Sequence, residues 1–154
     1  MLKRAMTGLA AAFALAGCQG ELPPARPSVT EARVTLPAAP GVPGAGYFIL
    51  RGGSTDDALI GVTSPAAERI ELHESGTDAR GVTAMRQLYQ VPLGPGEVAF
   101  APGGKHLMVY GLNPQTPPGT RIELTFRFRS AAPLTVGASL APAGAGGMGS
   151  HSGH

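Results

Sequence analysis

The sequence is poor in cysteine, tryptophan and charged residues, on which many enzymes and binding proteins depend. Its 154 residues include one cysteine, no tryptophan and only 14% charged residues. The single cysteine, Cys18, excludes an intrachain disulfide and a Cys-x-x-Cys redox motif. Of the twelve lysines and arginines, Lys3 and Arg4 lie at the N-terminus, and the other ten equal the ten acidic residues without clustering. Because no basic patch exists, we expect no nucleic-acid binding.

Long apolar runs are also missing, apart from one near the N-terminus. Residues 5–16 are apolar and follow Lys3 and Arg4, and this stretch is too short to span a bilayer as a stable helix. It ends in Leu15-Ala16-Gly17-Cys18, which resembles the bacterial lipobox, whose cysteine is acylated and becomes the mature N-terminus. We therefore expect a lipoprotein-type signal peptide over residues 1–18 and a periplasmic or cell-envelope protein, anchored to the membrane through lipidated Cys18. An ordinary secretory signal with a chance cysteine is the alternative.

Glycine and proline are abundant, with 23 and 15 residues, as is typical of a turn-rich β domain. About nine short β-prone runs alternate with turns, one of which we assign to residues 92–96. In residues 121–129 the apolar side chains occupy every second position. The sequence therefore predicts an all-β, antiparallel β-sandwich domain over residues 29–140. A proline-containing tether, residues 19–28, precedes this domain, and a flexible Gly/Ala-rich tail, residues 141–154, follows it.

Two histidines and two methionines occupy particular positions in this β pattern. His73 follows Leu72, and His106 and Met108 flank Leu107, so each faces away from the apolar side of its strand. Met85 shares its face with polar neighbours. Taken one at a time, such a methionine is usually packing filler, and such a histidine is usually solvated or hydrogen-bonded.

Taken together, the four side chains suggest a metal site. Thioether sulfur and imidazole nitrogen suit Cu(I), and a thioether needs no deprotonation before it binds. The blue-copper type of electron-transfer centre requires a cysteine thiolate, and Cys18 lies at the wrong end of the chain for it. Glu71 or Glu74 could orient a ligand histidine, although a solvated carboxylate is the simpler interpretation.

The C-terminal tail carries three further potential ligands, namely Met148, His151 and His154. These side chains could form a secondary Cu(II) site or a capture arm for the main site. The alternative is a solubilising tail whose histidines are incidental.

Several segments resemble periplasmic copper chaperones of the PCu(A)C type. They are residues 64–74, Met85-Arg86, residues 102–108 and Gly111-Leu112, and the similarity extends over residues 46–136. The resemblance implies a cupredoxin-like β-sandwich that binds Cu(I) through His73, Met85, His106 and Met108. It also implies delivery of copper to a partner in respiratory oxidase assembly.

The chain departs from the pattern of that family in three places. Glu74 stands where a methionine often follows the first ligand histidine, and the interval between Met85 and His106 is one residue shorter than usual. The customary aromatic residue of the first strand is missing near Arg33.

We therefore expect a copper carrier, not an enzyme, that acts as a monomer. A metal-free β-sandwich interaction module of the cell envelope is the alternative. A redox copper enzyme is disfavoured, because no thiolate is available for a blue-copper centre and no substrate pocket can be inferred from the sequence. Nor does any nucleophile–base arrangement indicate an enzyme.

Overall fold

The computed structural model describes residues 26–145, which form ten β-strands and no helix. This confirms the all-β class expected from the sequence. The predicted signal peptide, residues 19–25 of the predicted tether and residues 146–154 of the predicted tail lie outside the described residues. Residues 26–145 contain no helix long and apolar enough to cross a membrane. The strands are β1 (Ser28–Thr35), β2 (Gly44–Arg51), β3 (Asp57–Thr63), β4 (Arg69–Thr77), β5 (Thr83–Leu88), β6 (Val91–Leu93), β7 (Glu97–Phe100), β8 (Lys105–Tyr110), β9 (Arg121–Phe128) and β10 (Leu134–Ala141).

All ten strands belong to one sheet, which curls into a near-barrel. Their order is β5-β4-β8-β7-β2-β1-β10-β9-β3-β6, and β8 also pairs with β2. Most neighbours are antiparallel, as expected, but β1 runs parallel to β10, and β7 runs parallel to β8. Strands β3 and β4 approach each other although they are distant in the sheet order, and this contact brings the two halves of the sheet together. Strands β5 and β6 remain at the edges.

The short strand β6 was not expected from the sequence, which suggested only a turn at residues 92–96. Val91 and Leu93 are buried, whereas Pro92 between them is exposed. A proline lacks the N–H group that a central strand needs, so it is tolerated in strands mainly at a sheet edge. The position of β6 at the edge explains why proline and strand pairing coexist here.

The core lies inside the curled sheet, and aromatic side chains form its centre. The ring of Phe48 stacks on Phe100 with 4.1 Å between ring centroids, and it meets the edge of Phe126 at 4.9 Å. The alternation predicted for residues 121–129 is confirmed, because all four of its apolar side chains are buried: Ile122, Leu124, Phe126 and Phe128.

Candidate metal centre

Strands β4 and β8 place two histidines side by side. They pair in antiparallel fashion with His73 directly opposite His106, and the two ring centroids are 6.1 Å apart. Leu72 and Leu107, which are also opposite each other, are buried in the core. Successive strand residues point to opposite faces of a sheet. Both histidines therefore lie on the face that is turned away from the core, which we call the outer face.

The two methionines lie on this same face, on the two strands that flank β4. Met85 on β5 is opposite Ser75, which makes it a diagonal neighbour of His73. Met108 follows His106 by two residues on β8 and is opposite Glu71. Diagonal neighbours across two strands are about 7–8 Å apart, within reach of long side chains. The four candidate ligands thus share one patch of the outer face, spread over three adjacent strands.

A cavity of about 480 Å³ opens on this patch. Met85, His106 and Met108 contribute to one part of its wall, and His73 lies next to His106 but not in the wall. The remainder of the wall comes from the ends of other strands and from turns, including Thr35, Pro43, Tyr47, Pro102 and Gly144. The cavity therefore lies where a bound ion would contact several of the candidate ligands.

Met85 and His106 differ sharply in exposure. The side chain of Met85 lies on the edge strand β5 and is 54% exposed, whereas His106 is only 6% exposed. Strand β8 lies inside the sheet between β4 and β7, and the turn at residues 102–104 lies beside it. Strand alternation in the sequence predicts which face a residue occupies, but not what covers that face.

A backbone carbonyl fixes the protonation pattern of His106. Its Nδ1 atom lies 2.9 Å from the carbonyl oxygen of Gly104. Because a carbonyl oxygen can only accept a hydrogen bond, Nδ1 must carry the proton and donate it. In the neutral ring, Nε2 then keeps its lone pair. This arrangement presents Nε2 as the nitrogen able to bind a metal.

In His73 a carboxylate places the proton on the other ring nitrogen, Nε2. Its Nε2 atom lies 3.0 Å from Oε2 of Glu71. This hydrogen bond with His73 is the main cause that lowers the pKa of Glu71, and a second hydrogen bond from Arg69 lowers it further. Glu71 is therefore ionised and can only accept, so Nε2 of His73 carries the proton.

The other ring nitrogen of His73 has no partner. Among residues 26–145, Nδ1 of His73 is the buried side-chain nitrogen or oxygen atom that lacks a hydrogen bond. A buried polar atom without a partner is costly, typically by about 1–3 kcal/mol. A metal ion bound to Nδ1 would remove that cost, so this atom fits a ligand role.

The sulfur of Met108 also has a neighbour that holds it. The hydroxyl of Tyr110 donates to the sulfur at 3.9 Å, and the guanidinium of Arg69 lies 4.0 Å from the centre of the Tyr110 ring. Sequence reasoning missed these supporting residues. Tyr110 follows Met108 by two residues and Arg69 precedes Glu71 by two, so the members of each pair share a strand face, but no sequence pattern connects the two pairs.

The two glutamates suggested as possible supports for a ligand histidine have different roles. Glu71 contacts His73, as described above. Glu74 points to the opposite side of β4, where it accepts hydrogen bonds from Lys105 at 2.7 Å and from Arg86. These two cations, Lys105 first, lower the pKa of Glu74. Glu74 therefore links its own strand to β5 and β8 through these two cations, on the face opposite to that of the candidate ligands.

The donor set fits a soft metal ion better than a hard one. Within residues 26–145, no three His, Cys, Asp or Glu side chains are grouped so that they could hold a metal. The other candidate donors near the two imidazoles are the thioethers of the two methionines, and imidazole together with thioether suits Cu(I). The other predicted ligands, Met148, His151 and His154, lie outside the described residues, as does Cys18.

Two sequence comparisons relate the chain to lipoproteins. A family model described as "Putative lipoprotein LpqE-like" matches residues 28–140. The protein described as "Putative lipoprotein Lxx21020", from Leifsonia xyli subsp. xyli, is 32% identical over 149 residues, which cover 88% of each chain. These relatives are named as lipoproteins and not as enzymes.

Solved structures agree with this fold. A copper-bound PCuAC domain from PmoF2 is 21% identical, with a TM-score of 0.61 over 76% of this chain and 93% of that domain. The solution structure of apo-DR1885 from Deinococcus radiodurans is 19% identical, with a TM-score of 0.56 over 92% and 97% of the two chains. The expected cupredoxin-like fold and the resemblance to PCu(A)C-type domains are thereby confirmed at the level of fold.

Proposed function

The chain belongs to the LpqE-like lipoprotein family, and from this membership and its PCuAC fold we propose that it is an extracytoplasmic copper chaperone. It binds one Cu(I) through His73, Met85, His106 and Met108. It then delivers the ion to a copper-requiring acceptor, such as a partner in the assembly of a respiratory oxidase. The protein is a carrier and catalyses no reaction.

The observation that carries this proposal is the state of the two imidazoles. Each has one nitrogen engaged by a fixed acceptor, Glu71 for His73 and the Gly104 carbonyl for His106. In its neutral form each ring therefore keeps one nitrogen for a metal, and Nδ1 of His73 is buried without any partner. Metal-binding histidines usually donate a hydrogen bond from their other ring nitrogen to such an acceptor, which orients the ring and raises its basicity.

The uneven exposure of the ligands suits transfer of the ion. A carrier must retain its ion in transit and also let an acceptor's ligands reach it. The buried imidazole of His106 serves retention, and the exposed thioether of Met85 at the sheet edge is the ligand that an acceptor can displace first. Neither thioether changes protonation as the ion leaves.

An anaerobic Cu(I) titration with a competing chelator tests the proposal. We expect one equivalent of Cu(I) to be withheld from the chelator, and no metal-dependent turnover of a substrate. The main alternative, a metal-free interaction module of the cell envelope, predicts that the chelator takes all the copper. That result would reject the carrier function.

We also propose that the tail supplies a second site, for Cu(II), through Met148, His151 and His154. One described residue favours this role, because Gly144 lines the cavity at the main site and so the tail begins beside it. A protein ending at Ala145 should bind less Cu(II) than the full chain while keeping its Cu(I) site. Equal Cu(II) binding by the two proteins would eliminate the role of the tail.

The same family membership supports a proposal about the location of the protein. We propose that Cys18 is lipidated and anchors a monomer to a membrane outside the cytoplasm. The full-length protein should then separate with the membrane fraction, and Cys18→Ser should release it or stop its maturation. Recovery of unchanged amounts of Cys18→Ser protein in the membrane fraction would contradict the anchor.

A further inference from the structure

Arg69 connects the supports of one nitrogen ligand and one sulfur ligand. Its Nε donates to Oε1 of Glu71 at 2.8 Å, and Oε2 of the same carboxylate accepts from His73. Its guanidinium also lies over the ring of Tyr110, whose hydroxyl donates to Met108. A single side chain thus contacts both residues that hold ligands in place.

Glu71 is the residue whose behaviour depends most on this contact. It is directly opposite Met108 and hydrogen-bonded to His73, so its carboxylate lies next to two candidate ligands. A carboxylate is a hard donor, and two histidines with one glutamate form a known zinc-binding set. A Glu71 side chain free to turn toward the imidazoles would therefore add the donor that favours zinc over Cu(I).

In the structure, that hard-donor set is not assembled. Both oxygens of Glu71 are engaged, one by Arg69 and one by His73. Consistent with this, no group of three His, Cys, Asp or Glu residues able to hold a metal is found in the described part of the chain. The carboxylate acts as a hydrogen-bond acceptor and leaves the first coordination positions to nitrogen and sulfur.

We propose that Arg69 determines metal specificity by keeping Glu71 as a hydrogen-bond acceptor that does not itself bind the metal. The inference rests on the proposed function, since it concerns the same four ligands. Arginine can position Glu71 in this way because its planar guanidinium donates to the carboxylate while its face stacks on an aromatic ring. Lysine keeps the positive charge but cannot reproduce this combination of contacts. Arg69 is thus a positioning residue that acts on the metal through Glu71.

The test compares the wild type with Arg69→Gln, Arg69→Lys and the double variant Arg69→Gln/Glu71→Gln. Cu(I) affinity is measured anaerobically against a chelator, and zinc affinity is measured separately with zinc alone. We expect Arg69→Gln to raise the ratio of zinc affinity to Cu(I) affinity by about tenfold or more. About tenfold is the lower end of the changes in metal affinity that follow mutation of a residue supporting a metal ligand. Arg69→Lys should fall between this variant and the wild type. The double variant should lose the gain in zinc affinity, because a glutamine amide is not an anionic donor.

Two controls separate specificity from a general loss of structure. Arg80→Gln removes another exposed arginine that is paired with a carboxylate, Asp78, and it should leave the ratio of the two affinities unchanged. In the metal-free protein, NMR of the His73 ring should show protonated Nε2 in the wild type and a mixture of tautomers in Arg69→Gln. A purely structural role of Arg69 would lower both affinities together.

The inference is overturned if Arg69→Gln keeps the wild-type ratio of Cu(I) to zinc affinity, or if the double variant retains the gain in zinc affinity. Failure of the proposed function has a different signature, namely that the wild type itself withholds no Cu(I) from the chelator.

Discussion

Replacing His106 with alanine should abolish tight Cu(I) binding. His106 is the most buried of the four candidate ligands, and its Nε2 is the nitrogen left available by the hydrogen bond from Nδ1 to Gly104. Loss of a residue that only hydrogen-bonds to a metal ligand typically lowers metal affinity about 10–100-fold, and loss of the ligand itself should lower it more. The measurement is the anaerobic competition titration, repeated for His106→Ala and for wild type at equal protein concentration.

A companion variant for this test lies on β4, the strand that pairs with β8. His73→Ala removes the imidazole opposite His106 and should weaken Cu(I) binding to a similar extent. It also removes a buried polar atom without a partner, so His73→Ala should lose less stability in the metal-free form than His106→Ala. Retention of wild-type Cu(I) affinity by either histidine variant would refute the ligand assignment.

Two adjacent residues on β8 should have opposite effects when each is replaced by alanine: one variant should lose mainly stability and the other mainly Cu(I) affinity. Leu107 is fully buried in the core, and Met108 faces the cavity on the other side of the strand. Leu107→Ala should lower the free energy of unfolding of the metal-free protein by about 2–5 kcal/mol, as expected for a buried leucine. Met108→Ala should lower it by only about 1 kcal/mol, a typical value for a point substitution.

The Cu(I) affinities of the two variants should show the reverse order. Met108→Ala loses a thioether donor and should bind Cu(I) far more weakly, whereas folded Leu107→Ala keeps all four ligands. Chemical denaturation and the competition titration measure the two quantities on the same samples. A Met108→Ala protein with wild-type copper affinity, or a Leu107→Ala protein of wild-type stability, would contradict the division between the two faces of β8.

The fold could be predicted from the sequence where apolar residues alternate. Residues 121–129 have this pattern, and the structure places their apolar side chains in the core. The pattern failed at β6, because three residues with a central proline give no period to detect. The parallel pairing of β1 with β10 was also not predictable, since it joins strands at opposite ends of the domain.

The positions of the candidate ligands on strand faces could likewise be anticipated, but their chemical state could not. Alternation placed His73, His106 and Met108 away from the core. The proton positions on the histidines depend on a carboxylate two residues away from one ring and on the Gly104 carbonyl near the other. The burial of His106 depends on the position of β8 inside the sheet, between β4 and β7, and the local sequence does not fix that position.

The parallel pairing of β1 and β10 gives the domain a polarity. Both strands finish at the cavity, where Thr35 and Gly144 contribute to the wall, so β1 must start at the far pole with Ser28. Eight strand residues at about 3.3 Å each separate the two poles by roughly 25 Å. A lipid on Cys18, as proposed above, would draw the Ser28 pole toward the bilayer. The cavity beside the proposed copper ligands would then face away from the membrane and stay open to the proposed acceptor.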